Sequence, residues 1–398
     1  MQAVPAVNEG MFIGGRFLVG LGSNLSQGSA PLLIVELAHP QHRGKLTTMY
    51  NCLWYVGSII AAWTVFGTIR YTTDAAWRIP VAMQAAMPAV QMLGIWLLPE
   101  SPRWLCSKDR LDEALAVLVR YHANGNADDA FVQAEFHEIQ ETIRREKEDT
   151  SSSGWATLVQ TPGNRRRLLL IALVTFFSQC SGNGLVSYYL HSILNSVGIR
   201  DSYEQSLING GLQIWSFLVA IGFSVFLVDL LGRKTLFLIA GVGMLVTFSI
   251  WTACSAYYER TQSKEAGSAV IAMIFLFYGV AGFAWPGLTV TYAAEILPFH
   301  IRAKGMSIGF ALSALSSVFN QYVNPIGLEA LQWRYYFFYI AILVIEVLCI
   351  WFLFVETKGP TLEEIAELFD GRDAKVAKLG KGPGKVRMGD AEAEHIEA

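Results

Sequence analysis

Among the amide side chains inside apolar stretches of this 398-residue chain, seven are candidates for binding: Asn51, Gln179, Asn183, Gln213, Asn320, Gln321 and Asn324. An amide both donates and accepts hydrogen bonds, so these residues are equipped to hold a ligand rather than to break one. Tyr188, Tyr189 and Trp285 supply aromatic faces in the same stretches. The plainer use of a lone Asn or Gln in an apolar helix is a bond to the neighbouring helix, and each candidate is weighed against that. Bond-making chemistry has no foothold. The sequence offers no nucleophile–base pair, no metal-ligand spacing and no phosphate loop, and Gly20-Leu-Gly22 lies inside an apolar segment rather than after a strand. The expectation is a protein that is not an enzyme and needs no cofactor.

A second set is charged. Glu36 and Arg43 flank one junction and Glu295 and Arg302 another, each reading Glu, six residues, Arg, then a nearby Gly. Asp229 and Arg233 mark a third junction. All six fall at the ends of apolar spans, where they can form a charge network closing an inner gate, or simply mark topology. The recurrence of one junction far along the chain is what a duplicated helical bundle leaves behind, and such repeats accompany transport. Glu346 is the one acid deep in a span. Surrounded by apolar groups it must be protonated or paired, and a structural partner in the bundle is the expected role ahead of proton coupling.

The elements that must position these residues are membrane helices. The chain is 53% hydrophobic and 16% charged, against about 25% charged in soluble domains. Nine stretches reach the roughly 20 residues a span needs: 11–36, 47–69, 78–98, 167–194, 206–228, 235–257, 268–294, 306–325 and 335–355. Gly57, Pro88, Gly182, Gly184, Pro286 and Pro325 interrupt them. The first span is crowded with small residues, which suits close helix contact. Arg43, Lys45, Arg233, Lys234, Arg302 and Lys304 sit in alternate loops with the basic 99–166 segment; the opposite loops hold few, such as Arg70, Arg200, Arg260 and Lys264. The positive-inside bias makes the 99–166 segment and the C-terminus cytosolic, and nine spans then put the N-terminus outside. A net charge of -3 gives no reason to expect a nucleic-acid partner.

Between the third and fourth spans, Leu111, Ala114, Leu115, Leu118 and Val119 recur at helical spacing, as do Phe131, Ala134 and Ile139 after the caps Asp128 and Asp129. These predict short amphipathic helices on the cytosolic face, with Ser151–Gly154 as a joint. Thr361 and Glu364 form a capping box beyond the last span, and the charged, Gly-rich tail from Lys375 is expected to be disordered. The division is 1–98, a partial N-terminal bundle; 99–166, a cytosolic helical domain; 167–355, a six-helix bundle; and 356–398, a helix and tail. The five cysteines show no disulfide framework.

Several motifs carry a resemblance. Gly15-Arg16-Phe17, Arg43-Gly44, Pro99-Glu-Ser-Pro-Arg-Trp-Leu105, Gln179-Cys-Ser-Gly-Asn-Gly-Leu-Val-Ser-Tyr-Tyr189, Asp229-Leu-Leu-Gly-Arg-Lys234 and Glu356-Thr-Lys-Gly359 together resemble the sugar porter family of the major facilitator superfamily, specifically its fungal lactose-permease-like and hexose transporters. The resemblance implies an all-α polytopic fold whose nine spans correspond to helices 4–12 of twelve, with helices 1–3 missing. It implies transport of a hexose or a disaccharide such as lactose by alternating access, as a proton symporter in the intact protein, in the plasma membrane. The partners are then the sugar, protons and the lipid bilayer. A sugar's hydroxyls donate and accept, and its ring faces are apolar, which the amides and aromatics match. By resemblance, Gln179 lies in the sugar-contacting helix, Asn51 matches a sugar-contacting amide, and Tyr188 and Tyr189 match an extracellular gate. The chain departs from the pattern at Ser178, at Gly184 with Asn183 one residue early, and at Val290 with Trp285 further out. Two alternatives stay open: a non-transporting sensor of the same fold, and an inactive fragment.

Overall fold

The computed structural model describes residues 8–39, 43–150, 155–224, 231–297, 299–358 and 369, and every regular element among them is a helix. Asp229, Thr361, Glu364 and the tail lie outside the described residues. Arg43 and Asn51 lie on a described helix, but their side chains do not belong to the described part.

The first three rods are α1 (Glu9–Leu37), α2 (Arg43–Thr68) and a broken rod of α3 (Ala75–Met83) and α4 (Ala86–Gly94) with a short 3-10 turn to Leu97. Asn8 caps α1, its Oδ1 accepting from the Met11 amide at 2.8 Å. Gly57 passes through α2 without a break, and Pro88 stands in the first turn of α4, where its missing N–H costs no helical bond. Among the described residues, Gly15 is buried, but a methyl group on Gly14, Gly20, Gly22 or Gly28 would meet nothing within 4 Å, so the close contacts expected of α1 are not made at those four.

Four helices follow on the polar segment: α5 (Pro102–Ser107), α6 (Leu111–His122), α7 (Ala130–Thr150) and the single turn α8 (Thr157–Gln160). Ala114 and Leu118 of α6 pack on Leu105 and Cys106 of α5. The buried stripe of α7 is Val132, Ile139 and Ile143, with Phe136 partly buried beside it. Phe131 and Ala134 face outward, a correction to the expected face. The stripe starts one residue later than anticipated: Phe131 lies off it and stacks on His39, ring centroids 5.1 Å apart, while Asp129 caps the helix by accepting from the Phe131 amide at 2.8 Å.

The remaining rods form the packed part. They are α9 (Pro162–Cys180) with α10 (Asn183–Ser196), α11 (Ser202–Val219), α12 (Arg233–Thr261), α13 (Lys264–Ala281) with α14 (Trp285–Ile296), α15 (Phe299–Leu331) and α16 (Tyr336–Leu353). Thr161 and Pro162 start α9 in a standard way, the Thr hydroxyl accepting from the Asn164 amide at 3.2 Å. The α9–α10 rod breaks at Gly182, whose φ of 100° only glycine adopts readily. Gly184 continues the helix, and so does Pro325 inside α15, so neither interrupts its span. Pro286 stands in the first turn of α14, after the break at Gly282–Ala284.

Among the described residues, five segments are long and apolar enough to cross a membrane: Ala75–Leu97, Pro162–Ser196, Arg233–Thr261, Lys264–Ile296 and Ile301–Leu353. The last contains α15 and α16 in 53 residues, about 80 Å of helix at 1.5 Å per residue, enough for two crossings. α1, α2 and α11 occupy other expected spans, where Gly, Ser, Thr and Asn dilute the apolar content. One hydrophobic core runs through the α9–α16 region, built on Phe177, Phe237, Phe248, Trp251, Phe277 and Tyr336.

Candidate functional site: an amide cluster at the α9–α10 break and a charge cluster at the helix ends

The break at Gly182 presents Gln179 one turn before it and Asn183 one residue after it. Gln179 is bonded on both sides of its amide: Nε2 donates to Ser313 Oγ at 3.2 Å and Oε1 accepts from Ser317 Oγ at 3.1 Å, both on α15. Its backbone carbonyl accepts from Asn320 Nδ2 at 2.7 Å. Asn320 in turn accepts from Tyr339 OH at 3.2 Å, and Asn324 Oδ1 lies 2.5 Å from Tyr339 OH and 2.9 Å from Tyr335 OH. Asn320 and Asn324 are only 2% and 1% exposed, so they position the cluster from behind. Asn324 Nδ2 is buried without a hydrogen-bond partner. Gly184 makes this arrangement possible, since a Cβ there would press on the Gln179 carbonyl at 3.1 Å and on Asn320 Nδ2 at 3.3 Å.

On α10 the Asn183 carbonyl accepts from Tyr278 OH at 3.1 Å, and Tyr278 OH also lies 2.7 Å from Ser187 Oγ. Tyr189, at a kink in α10 (φ -124°, ψ 21°), donates to the Gln321 carbonyl at 2.9 Å and approaches its side-chain oxygen at 3.3 Å. Gln321 is exposed and Tyr188 is 52% exposed. One set of α9, α10 and α15 residues is therefore brought together, Gln179, Tyr189, Asn320, Gln321 and Asn324, with Asn183 beside the break and held through its carbonyl by Tyr278 of α13.

Two candidates are placed elsewhere. Gln213 donates to Asn209 Oδ1 at 3.3 Å along its own helix α11. Trp285 is buried in the core, its ring centroid 5.0 Å from that of Phe237 and its indole N–H without a partner. Sequence reasoning missed Ser313, Ser317, Tyr339, Tyr278 and Ser187. A Ser or Tyr on an apolar helix carries no signal until the facing helix is known. A recess of about 280 Å³ lined by Phe176, Phe177, Phe319, Phe338, Ile342 and Ile345 has no polar lining and suits lipid or packing rather than a hydroxylated ligand.

The second cluster gathers where α12, α14 and the chain after α16 converge. Arg233 Nη2 lies 3.0 Å from Glu295 Oε1, and both side chains are partly buried. Thr357 Oγ1 donates to Glu295 Oε2 at 2.5 Å. Glu356 accepts from the backbone amides of Arg233 at 2.8 Å and Lys234 at 3.1 Å, which caps α12 where Gly232 (φ 83°) begins it. Tyr292 OH accepts from the Val355 amide at 3.0 Å and donates to the Val355 carbonyl at 3.1 Å. Arg302 donates to the Leu297 carbonyl at 3.2 Å, within its own junction.

The other junction meets the polar segment. Glu36 accepts from the Ser101 hydroxyl, which also caps α5. His122 reaches the Leu37 carbonyl with Nε2 at 3.2 Å and Glu135 Oε2 with Nδ1 at 2.7 Å. Facing two acceptors, the imidazole ties α6 and α7 to the end of α1. Among the described residues no group of three His, Cys, Asp or Glu could hold a metal ion.

Known proteins match this architecture along most of its length. The family model for Sugar (and other) transporter matches residues 2–369. The MFS-type transporter criB of Aspergillus cristatus is 32% identical over 366 residues, covering 92% of this chain and 74% of that protein. Hexose transporter 2 of Kluyveromyces lactis is 29% identical over 364 residues, covering 89% of this chain and 63% of that protein. Among solved structures, the proton:xylose symporter XylE bound to 6-bromo-6-deoxy-D-glucose superposes with a TM-score of 0.72 at 22% identity, covering 90% of this chain and 74% of that one. The chain is thus an integral membrane protein of the major facilitator fold, and it belongs to the Sugar (and other) transporter family.

Proposed function

We propose that this protein carries a sugar, a hexose or a disaccharide such as lactose, across the plasma membrane by alternating access. The amide cluster at the α9–α10 break carries this reading. Gln179, Asn183, Tyr189 and Gln321 offer donors and acceptors at a point where two half-helices meet, and Asn320 and Asn324 hold them from behind. Asn51, Tyr188, Gln213 and Trp285 complete the proposed contact set. Proton symport is part of the proposal for the intact protein, in keeping with a relative described as a proton:xylose symporter.

Glu36, Arg43, Asp229, Arg233, Glu295 and Arg302 form the proposed inner gate. Contacts of about 0–1 kcal/mol each, as exposed pairs give, bias two states that lie close in energy. The 99–166 segment and the C-terminus face the cytosol in this reading, and the chain divides at 98, 166 and 355. The test is uptake of labelled hexoses and lactose into cells lacking their own sugar carriers. Uptake is expected, and it falls at least tenfold in Gln179→Ala. No uptake by this chain, nor by a chimera in which a relative's first helices precede it, would remove the proposal.

A further inference from the structure

Glu346 is used by nothing described so far. It is 0% exposed, in the middle of α16, and its Oε2 meets the hydroxyl of Ser181 at the α9–α10 break. Its Oε1 has no hydrogen-bond partner. No lysine or arginine reaches it among the described residues. Three elements pack against α16: α9, α12 and the 3-10 turn before it. On α9 the titratable neighbour is Cys180, and the arginines 165–167 begin 14 residues before Ser181, about 21 Å along the axis. On α12 the residue facing the carboxyl is Gly241, and between Leu236 and Ala256 only Cys254 titrates. The 3-10 turn before α16 has Arg334, 12 residues before Glu346, about 18 Å away by the same rise. On α16 itself Tyr339 and Cys349 lie two turns before and one turn after Glu346.

A carboxylate in that position would present two oxygens to a single hydroxyl, with no cation and no water-facing side. That is among the costliest arrangements a protein can hold. A neutral acid fits every contact. Ser181 Oγ lies 2.6 Å from the Phe177 carbonyl and donates to it in the usual helical manner. The hydroxyl has one proton, so its lone pairs then face Glu346 Oε2, and only a protonated carboxyl can donate there. The bare Oε1 becomes a carbonyl oxygen, a weaker acceptor than a carboxylate oxygen.

We propose that Glu346 is a proton-binding site built into the α9–α10 hinge. Its proton sits on Oε2 and joins α16 to Ser181, next to Gly182 and two residues beyond Gln179. Release transfers that proton to water and leaves a carboxylate, which must gain hydration or a new donor. The hinge then parts from α16, and Gln179 moves with it. Packing at the break makes the movement discrete: a Cβ on Gly182 would already meet Phe248 at 3.0 Å.

The test is infrared spectroscopy on the full chain in lipid nanodiscs at neutral pH, with hydrogen exchange of residues 177–186 read alongside. Wild type is expected to show a protonated-carboxyl C=O band that Glu346→Gln lacks, and that shifts in Ser181→Ala. Raising the pH should erase the band and lower protection across the break, after correction for the base-catalysed intrinsic rate, by tenfold or more in wild type, while protection in Glu346→Gln stays constant. Identical carboxyl bands in wild type and Glu346→Gln would overturn the proposal, as would the same alkaline loss of protection in both. Where Glu346→Gln does not fold, an unshifted band in Ser181→Ala overturns it and a shifted band supports it. The measurement needs no sugar, so its failure is separate from failure of the transport reading.

Discussion

Two membrane segments of nearly equal apolarity have opposite fates. Ala75–Leu97 has a mean hydropathy of 1.3 in its most apolar stretch and none of that stretch is buried, while Pro162–Ser196, at 1.5, has 61% buried. Hydropathy therefore says that a segment belongs in a bilayer and nothing about which helices touch. Contact is set by shape and by polar bonds between helices. The α9–α10 rod has both: Gly182 and Gly184 admit Phe248 and Asn320, and Ser181, Gln179 and the Gln179 carbonyl bond to α15 and α16. The α3–α4 rod has two prolines, and it is tied to α2 by Thr68 Oγ1, which donates to the Ala76 carbonyl at 3.0 Å, and to α1 by Trp77 edge-on to Phe12.

The largest effect that could break this comparison is at glycine. Gly182→Leu adds a left-handed backbone penalty to a clash with Phe248, and should cost about 3 kcal/mol or more. Gly20→Leu on α1 should stay within about 0.5 kcal/mol. Thermal denaturation followed by size-exclusion fluorescence compares the two, and equal losses would mean that α1 is as tightly packed as α9–α10.

Next comes Asn320→Ala, which removes the donor to the Gln179 carbonyl, while Tyr339 keeps Asn324 Oδ1 as its acceptor. A loss of about 1–2 kcal/mol is expected, with sugar affinity falling alongside in a binding titration. Unchanged affinity would detach Asn320 from the site. Glu356→Ala uncaps α12 and should cost about 1 kcal/mol, read as faster hydrogen exchange of the amides of residues 233–236. Unaltered exchange would show that Glu295 and Arg233 hold that helix end without it.

The smallest effect is on the polar segment. Arg110 and Glu113 form a 2.6 Å surface pair, and its hydrogen bond holds the Glu113 carboxyl below its usual range. Any stability this gives is present above the unfolded carboxylate range and is lost as pH falls through the folded value. Water screens so exposed a pair. Melting of Glu113→Gln should follow wild type at acid pH and fall barely below it at neutral pH, and a wide gap at neutral pH would contradict this.

The legible part of this protein is what one helix can state by itself. The apolar lengths give the rods, and Glu295 and Arg233 stand at helix ends as charges must. Gln179 is visible because an amide among apolar residues needs a partner. What stays hidden is which helix supplies that partner. Ser313 and Ser317 look like filler until α15 is laid against α9. Phe131 misleads for a related reason: its ring stacks on His39, just beyond α1, instead of joining the buried stripe of α7. Glu356 reads as part of a motif, while its work is to cap a helix more than a hundred residues away in sequence.

That cap has a mechanical consequence. Where the chain emerges from α16, Val355, Glu356 and Thr357 are fastened in succession to Tyr292, to the first amides of α12 and to Glu295. The exit strand acts as a drawstring across two other rods. Tension on the chain beyond Lys358 would reach the Arg233–Glu295 pair directly, so a force applied to the tail and a charge change at that pair are two handles on the same knot.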